Sequence, residues 1–228
     1  MEGMMGHAGM AATVVRYLRS VGAPTTADHP AEAALPRPHL RAVREDERAP
    51  VDAAEFRRVL GNFATGVTVV TAPAAHGGAI HGGATPEATG PAGPAGFACQ
   101  SFASLSLDPP LVSFMVARTS TTWPRIARAG VFCVNVLGAD QGALCRAFAV
   151  SGADKFAGVE YDAAPVTGSP RLAGAPAWID CAVHAVHTGG DHLIVVGRVA
   201  ALGTADESAA PLLFHQGKFG DFTPHGSR

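Results

Sequence analysis

The sequence predicts a mainly β (α+β) fold, a barrel or sandwich of short strands with short peripheral helices. Three observations carry that prediction. Apolar runs such as VTVVTA at 67–72 and VFCVNVL at 131–137 have the length and the β-branched, aromatic composition of buried strands. WIDCAVHAVH and HLIVVGRVAAL flank TGGD at 188–191, a glycine-bearing hairpin signature. The helical stretches are short and outnumbered by strands, which disfavours a doubly wound parallel sheet.

Residues 1–50 contain five prolines, mixed charges (REDER at 44–48) and little apolar periodicity after Val21. They read as a disordered N-terminal extension ahead of one domain spanning 51–228. The start, MEGMMGHAGMAATVVRYLRSVGA, is broken by Arg16 and Arg19 and reads as a short amphipathic helix rather than a secretory signal. Order is expected to begin at VDAAEFRRVLGNF. There Asp52 is placed to cap a helix, Glu55 occupies the capping-box position, and Phe56, Val59, Leu60 and Phe63 share one face. Gly66 ends that piece and a strand follows at 67–72. In the connector 73–96, eighteen of 24 residues are Gly, Ala or Pro, so it reads as flexible, with His76 and His81 solvated rather than chelating.

The next stretch, FACQSFASLSLDPPLVSF at 97–114, looks like strand built from unusual residues. Ala98, Cys99, Ser101, Ala103, Ser104 and Ser106 are all small. PLVSFMVA (110–117) reads as a further strand, and STTWPRIARAG (120–130) as a short helix capped by Ser120 or Thr121 and closed by Gly130. ADQGALCRAFAV (139–150) is a helix with Leu144 and Phe148 one turn apart. DKFAGVEY leads into a Gly/Pro loop ending near Pro176, and after the TGGD hairpin PLLFHQGKFGDF supplies one more strand and a turn.

Composition narrows the function classes. With 228 residues, 47% hydrophobic and 16% charged, the chain buries a real core in one generous domain or two small ones. A net charge of −2 offers no basic surface for nucleic acid, and no apolar run reaches the ~20 residues a membrane span needs. Cys99, Cys133, Cys145 and Cys181 lie far apart without a C-x-x-C pair, which argues for a reduced, cytoplasmic protein.

The small-residue stretch suggests a ligand. On one face of a strand, Ser104 and Ser106 set two hydroxyls in line, and backbone flanked by small side chains is open to a flat ring. Thr119, Ser120, Thr121 and Thr122 precede the short helix, where free N–H groups suit a phosphate. Together these features fit a phosphorylated aromatic cofactor; separately, each also fits a solvent-facing edge strand and an ordinary cap. The rival is a metal hydrolase using His184, His187 and His192 with Asp180 and Asp191. Strand alternation sends His184 and His187 to opposite faces, leaving His187 and His192, paired across the TGGD turn, as two ligands at most. There is no G-x-S-x-G, no G-x-G-x-x-G after a strand and no P-loop, and Cys99 has no basic neighbour to activate it.

The ordered blocks FRRVLGNFATGVTVVTA, GFACQSFASLSLDPPLVSF, STTWPRIARAGVFCVNVL, DKFAGVEY, GSPRLAGAPAWIDC, GGDHLIVVGRV and PLLFHQGKF resemble the flavin reductase family of two-component monooxygenases. The match covers roughly residues 52–222 and is similar to reductases of the secosteroid and hydroxyphenylacetate hydroxylase type. The resemblance implies a split β-barrel of the FMN-binding flavin reductase type, usually a homodimer. It also implies reduction of FMN or FAD by NADH or NADPH for a separate oxygenase. It places Ala98, Cys99, Gln100, Ser101 and Phe102, with Ser104 and Leu105, along the flavin ring and ribityl chain. Thr119, Ser120 and Thr121 approach the phosphate, while His192 and the turn Phe214, His215, Gln216, Gly217 face the nicotinamide. No catalytic acid or base and no metal are expected. Two departures stand out. The leader and the 73–96 connector exceed the usual lengths, and His215 stands where close relatives often carry an aromatic residue. A flavin-binding storage or sensor protein without turnover is the alternative in another class.

Overall fold

The computed structural model describes residues 51–74, 93–152, 154–205 and 209–223. The N-terminal extension, most of the connector and both of its histidines lie outside the described residues. Helix α1 (Ala53–Leu60) begins where the sequence places it, with Asp52 Oδ1 accepting from the Ala54 and Glu55 backbone N–H groups. Glu55 does not reach back to complete a capping box. Its carboxylate instead takes two bonds from Arg58 one turn on, which hold it below the usual carboxylate range. The apolar face of α1 is not buried, with Phe56 55% exposed; Phe63, expected on the same face, lies past the helix end and is 76% exposed.

Strands β1 (Thr65–Gly66), β2 (Thr68–Ala72), β3 (Ala95–Cys99), β4 (Ala103–Leu107) and β5 (Pro110–Ala117) follow. Ala95 and Gly96, assigned to the connector by composition, are buried strand residues. Then come α2 (Trp123–Ala129), β6 (Val131–Val136), a 3₁₀ turn (Ala139–Gln141), α3 (Gly142–Ala149), β7 (Tyr161–Ala163) and β8 (Pro170–Leu172). The long hairpin β9 (Ala177–Gly189) and β10 (His192–Thr204) precedes the small hairpin β11 (Leu213–His215) and β12 (Lys218–Gly220).

Seven strands form one antiparallel sheet in the order β3-β2-β6-β9-β10-β5-β4, and β1-β11-β12 form a second. The two ends of the large sheet, β3 and β4, are consecutive in the chain and separated only by residues 100–102. The sheet therefore curls until its edges are joined by one short crossing, the geometry of a split barrel. β2 is buried along its whole length because β3 and β6 flank it and helices cover it.

Two apolar clusters fill the interior. In one, the Phe114 ring meets Phe132 edge-on at 5.3 Å and Trp123 at 6.3 Å, with Ile126 of α2 beneath. In the other, Val67, Leu137, Leu172 and Leu212 pack on Phe148 of α3. Each such side chain contributes roughly 1.5–3 kcal/mol by leaving water. Gly130 closes α2 in the left-handed conformation (φ 67), as its position in the sequence predicts. Gly190 (φ 64) opens the two-residue turn between β9 and β10.

The register of that hairpin corrects one expectation. His192 pairs with Gly189, and His187 pairs with Ile194, so the two histidines do not face each other across the turn. No group of three or more His, Cys, Asp or Glu able to hold a metal occurs among the described residues. The four cysteines are free and buried. No described helix is long and apolar enough to cross a membrane.

Candidate functional site

The small-residue stretch is not one strand but two, broken at Gln100–Phe102 where the chain crosses from one edge of the sheet to the other. The break is held by Ser101. Its hydroxyl accepts from Met115 N at 2.8 Å and donates to Met115 O at 3.1 Å, so a side chain supplies the ladder bonds that the crossing backbone cannot. Thr68 Oγ1 donates to the Cys99 carbonyl from the other side. The Cys99 thiol lies 3.3 Å from Ser101 Oγ and burial pushes its pKa up, so it stays a neutral thiol.

Beneath this crossing lies a cavity of about 650 Å³. Strand β3 gives it Phe97, Ala98 and Cys99, the crossing gives Gln100 and Ser101, and strand β5 gives Met115–Ala117. The loop before α2 adds Thr119–Thr122, helix α3 adds Cys145, Arg146 and Phe148, and His192 and Phe214 complete the rim. The backbone comes close here for a steric reason. The Phe148 ring lies against Gly96, where an added Cβ would sit 2.7 Å from its Cε1.

Of the residues expected from sequence, Ala98, Cys99, Gln100, Ser101, Thr119, Ser120, Thr121, His192 and Phe214 line this one cavity. The others stand elsewhere. Phe102 packs on the Phe114 cluster. Ser104 and Leu105 sit on the exposed edge strand β4, and a register shift between Ser104 and Ser106 breaks the simple alternation that sets their hydroxyls in line. His215, Gln216 and Gly217 form the β11–β12 turn, which is tied to the end of α1 by Gln216 Nε2 donating to Asn62 Oδ1 at 2.8 Å. The N-cap of α2 is Thr122, not Ser120 or Thr121, but Ser120 holds the turn ahead of it, its Oγ accepting from Thr122 N and Trp123 N.

Sequence reading missed Arg146, Phe148, Ser151, Lys155 and Phe219, all of which line the cavity. Lys155 is the most informative. Its Nζ donates to Phe148 O at 3.0 Å and Gly96 O at 3.2 Å, and burial lowers its pKa. An ammonium has three donors, so one N–H remains for a ligand. The signal was present as the lone lysine of DKFAGVEY, but nothing local shows that it reaches a strand 59 residues earlier. At the rim, His192 Nδ1 stands 2.7 Å from Asp191 Oδ1, and this bond holds the Asp191 carboxyl below its ordinary pKa.

A phosphorylated flavin fits this lining on two counts. The volume falls within the range of small-molecule sites, and Val67, Phe97 and Ala98 give part of its wall an apolar surface. Hydroxyls and a partly buried cation, Thr121, Thr122, Ser151 and Lys155, also line it, and donors of these kinds suit a phosphate.

Comparison with known proteins agrees with the geometry. The flavin reductase like domain family matches residues 60–223. The reductase subunit HsaB of a flavin-dependent monooxygenase from Rhodococcus jostii is 45% identical over 174 residues, covering 76% of this chain and 80% of that protein. Among solved structures, nitrilotriacetate monooxygenase component B from Mycobacterium thermoresistibile is 42% identical, covers 77% of this chain and 92% of its own, and superposes with a TM-score of 0.63. The NADH:FAD oxidoreductase SgcE6 of Streptomyces globisporus C-1027, solved with NAD and FAD fragments, is 34% identical with a TM-score of 0.67, covering 78% of this chain and 98% of its own.

Proposed function

The chain belongs to the flavin reductase like family, and from that premise we propose that it is an NAD(P)H-dependent flavin reductase supplying reduced FMN or FAD to a separate flavin-dependent monooxygenase. The observation that carries this reading is the cavity beneath the Ser101 crossing, which combines small walls with a hydroxyl-and-lysine end.

Bound together, the two rings would supply the chemistry, hydride transfer from the nicotinamide C4 to the flavin N5. The chain positions them. Ala98 and Ser101 keep one wall thin enough for a tricyclic ring to lie against backbone. Lys155, Thr121 and Ser151 hold the phosphate with charge-assisted and neutral hydrogen bonds. His192, steadied by Asp191, stands at the rim where the nicotinamide enters, together with Phe214. No acid or base is required of the protein, which acts through proximity and orientation.

The protein is proposed to work as a homodimer in the cytoplasm. Exposed leucines on edge strand β4, Leu105 and Leu107, support an apolar contact between two copies. Four buried free thiols fit a reducing compartment.

The test is a panel of FMN and FAD against NADH and NADPH, followed by loss of the reduced nicotinamide band. Oxidation with at least one pair is expected. Flavin binding without oxidation by either nicotinamide favours the storage or sensor alternative and ends the reductase reading.

A further inference from the structure

Among the described residues Arg146 and Lys155 line the cavity as its lysine and arginine cations, and no Asp or Glu lines it with them. The two are held differently. Lys155 is tied to two backbone carbonyls. Arg146 stands exposed on α3, one turn after Gly142, with its guanidinium carbon 5.6 Å from the centre of the Phe219 ring. A Cβ on Gly142 would meet both groups, at 3.6 Å from Phe219 Cδ2 and 3.8 Å from Arg146 Nη1, so the first turn of the helix flanks this stack. Arg146 makes no ion pair or hydrogen bond among the described residues, which leaves its planar fork of five N–H donors unspent. Phe219 in turn meets Phe214 edge-on at 5.5 Å, which joins this cation to the rim assigned above to the nicotinamide.

Resting on the flavin reductase reading, the geometry points to Arg146 as the residue that grips the diphosphate of the nicotinamide dinucleotide, with Phe219 steadying its guanidinium. Hydride transfer needs two ligands in the cavity at once, and each brings an anion: the flavin its phosphate, the dinucleotide its diphosphate. Two cations meet two anions. Lys155 has one N–H left after its two carbonyls and suits the single phosphate. The Arg146 fork can bond two oxygens of a diphosphate together, a planar recognition that an ammonium does not give. Its place fits as well. A dinucleotide whose nicotinamide lies at Phe214 and His192 has the Phe219–Arg146 stack as its next neighbour on the rim. Stacking on an aromatic face orients the guanidinium without cancelling its charge. That uncancelled charge also draws an anionic substrate toward the rim.

The experiment is steady-state oxidation of NADH and of dihydronicotinamide riboside, which carries the same reacting ring and no phosphate, by the wild type, Arg146→Gln and Arg146→Lys. Flavin titrations of the three proteins run beside it. Arg146→Gln is expected to lower kcat/KM for NADH about tenfold, through KM, on the scale of one charge-assisted contact. The riboside, with no phosphate to lose, is expected to show none of that loss, and flavin affinity is expected to hold. Arg146→Lys restores charge without the fork and is expected to recover only part of the NADH loss. Equal losses for NADH and the riboside overturn the inference, because Arg146 then only supports the shape of the rim. Unchanged kcat/KM for NADH in Arg146→Gln also overturns it. Weakened flavin binding with an unaltered KM for NADH overturns it too, giving Arg146 to the flavin phosphate. A wild type that oxidises neither nicotinamide with any flavin ends the reductase reading itself, a result distinct from the other three.

Discussion

The Ser101 hydroxyl is bonded to both the backbone nitrogen and the carbonyl oxygen of Met115, at 2.8 and 3.1 Å. One side chain thus closes the barrel where its first and last strands run into each other, and the same residue lines the cavity below. Structure and site are coupled through it. Ser101→Ala is expected to cost about 1–2 kcal/mol of stability, because a backbone donor and acceptor lose their partner. Flavin affinity is expected to fall with it. Urea denaturation and a flavin titration check the two effects separately; loss of neither removes the clasp.

Gly197 makes a second, purely structural prediction. A Cβ added there would lie 2.3 Å from Cζ of Phe132, which is fully buried and edge-on to Phe114. That ring has no room to retreat, so Gly197→Ala is expected to destabilise by about 1–3 kcal/mol. The readout is the midpoint of chemical denaturation. An unchanged midpoint shows that the ring repacks freely.

The Lys155 ammonium predicts a pH dependence with a definite sign. Burial depresses its pKa below the ordinary 10.5, so as pH rises it loses its proton earlier than a solvated lysine does. The charged form binds phosphate and the neutral form does not. The affinity ratio of FMN over riboflavin is therefore expected to be full at neutral pH and to decline below pH 10.5 as the depressed value is crossed. Lys155→Met is expected to give a ratio roughly tenfold lower and flat in this range. A wild-type ratio that stays constant until ordinary lysines titrate contradicts the assignment.

Asp191 and His192 predict a division between substrates. Asp191→Asn removes the carboxylate that steadies the imidazole at the rim. KM for NADH is expected to rise by roughly tenfold, the scale of one charge-assisted bond, while flavin affinity is unchanged. The pairing from the carboxylate side persists at neutral pH, because the Asp191 pKa is lowered from 3.8 and the group protonates only in stronger acid. Equal losses in NADH and flavin binding show that the pair supports the whole rim.

Much of this was legible in the sequence, and the parts that were not share a physical cause. TGGD, Gly130 and Asp52 act within a few residues of themselves, so turn, C-cap and N-cap could each be read locally. The ordered motif blocks carried the family, and with it the barrel. What local reading missed depends on contacts distant in the chain. The small-residue stretch reads as one strand because the bond that breaks it, Ser101 to Met115, spans 14 residues. Lys155 escapes local reading because its carbonyl partner Gly96 is 59 residues away. Periodicity marks Phe56, Val59 and Leu60 on α1, though the helix ends before Phe63, and period says nothing of what covers a face: all three stand exposed. The two-residue loop after Gly189 sets a register that pairs His192 with Gly189 and His187 with Ile194, so the two histidines do not meet across it.

The claim that the cavity under the Ser101 crossing is the flavin seat is tested most directly by an equilibrium flavin titration of Ala98→Trp beside the wild type. Ala98 lines the cavity, whereas Ser104, the natural choice from sequence, lies outside it. The account predicts that the indole occupies the ring's place and weakens binding by about a hundredfold or more, roughly 3 kcal/mol, with the fold retained. Flavin bound by the folded variant as tightly as by the wild type would contradict it.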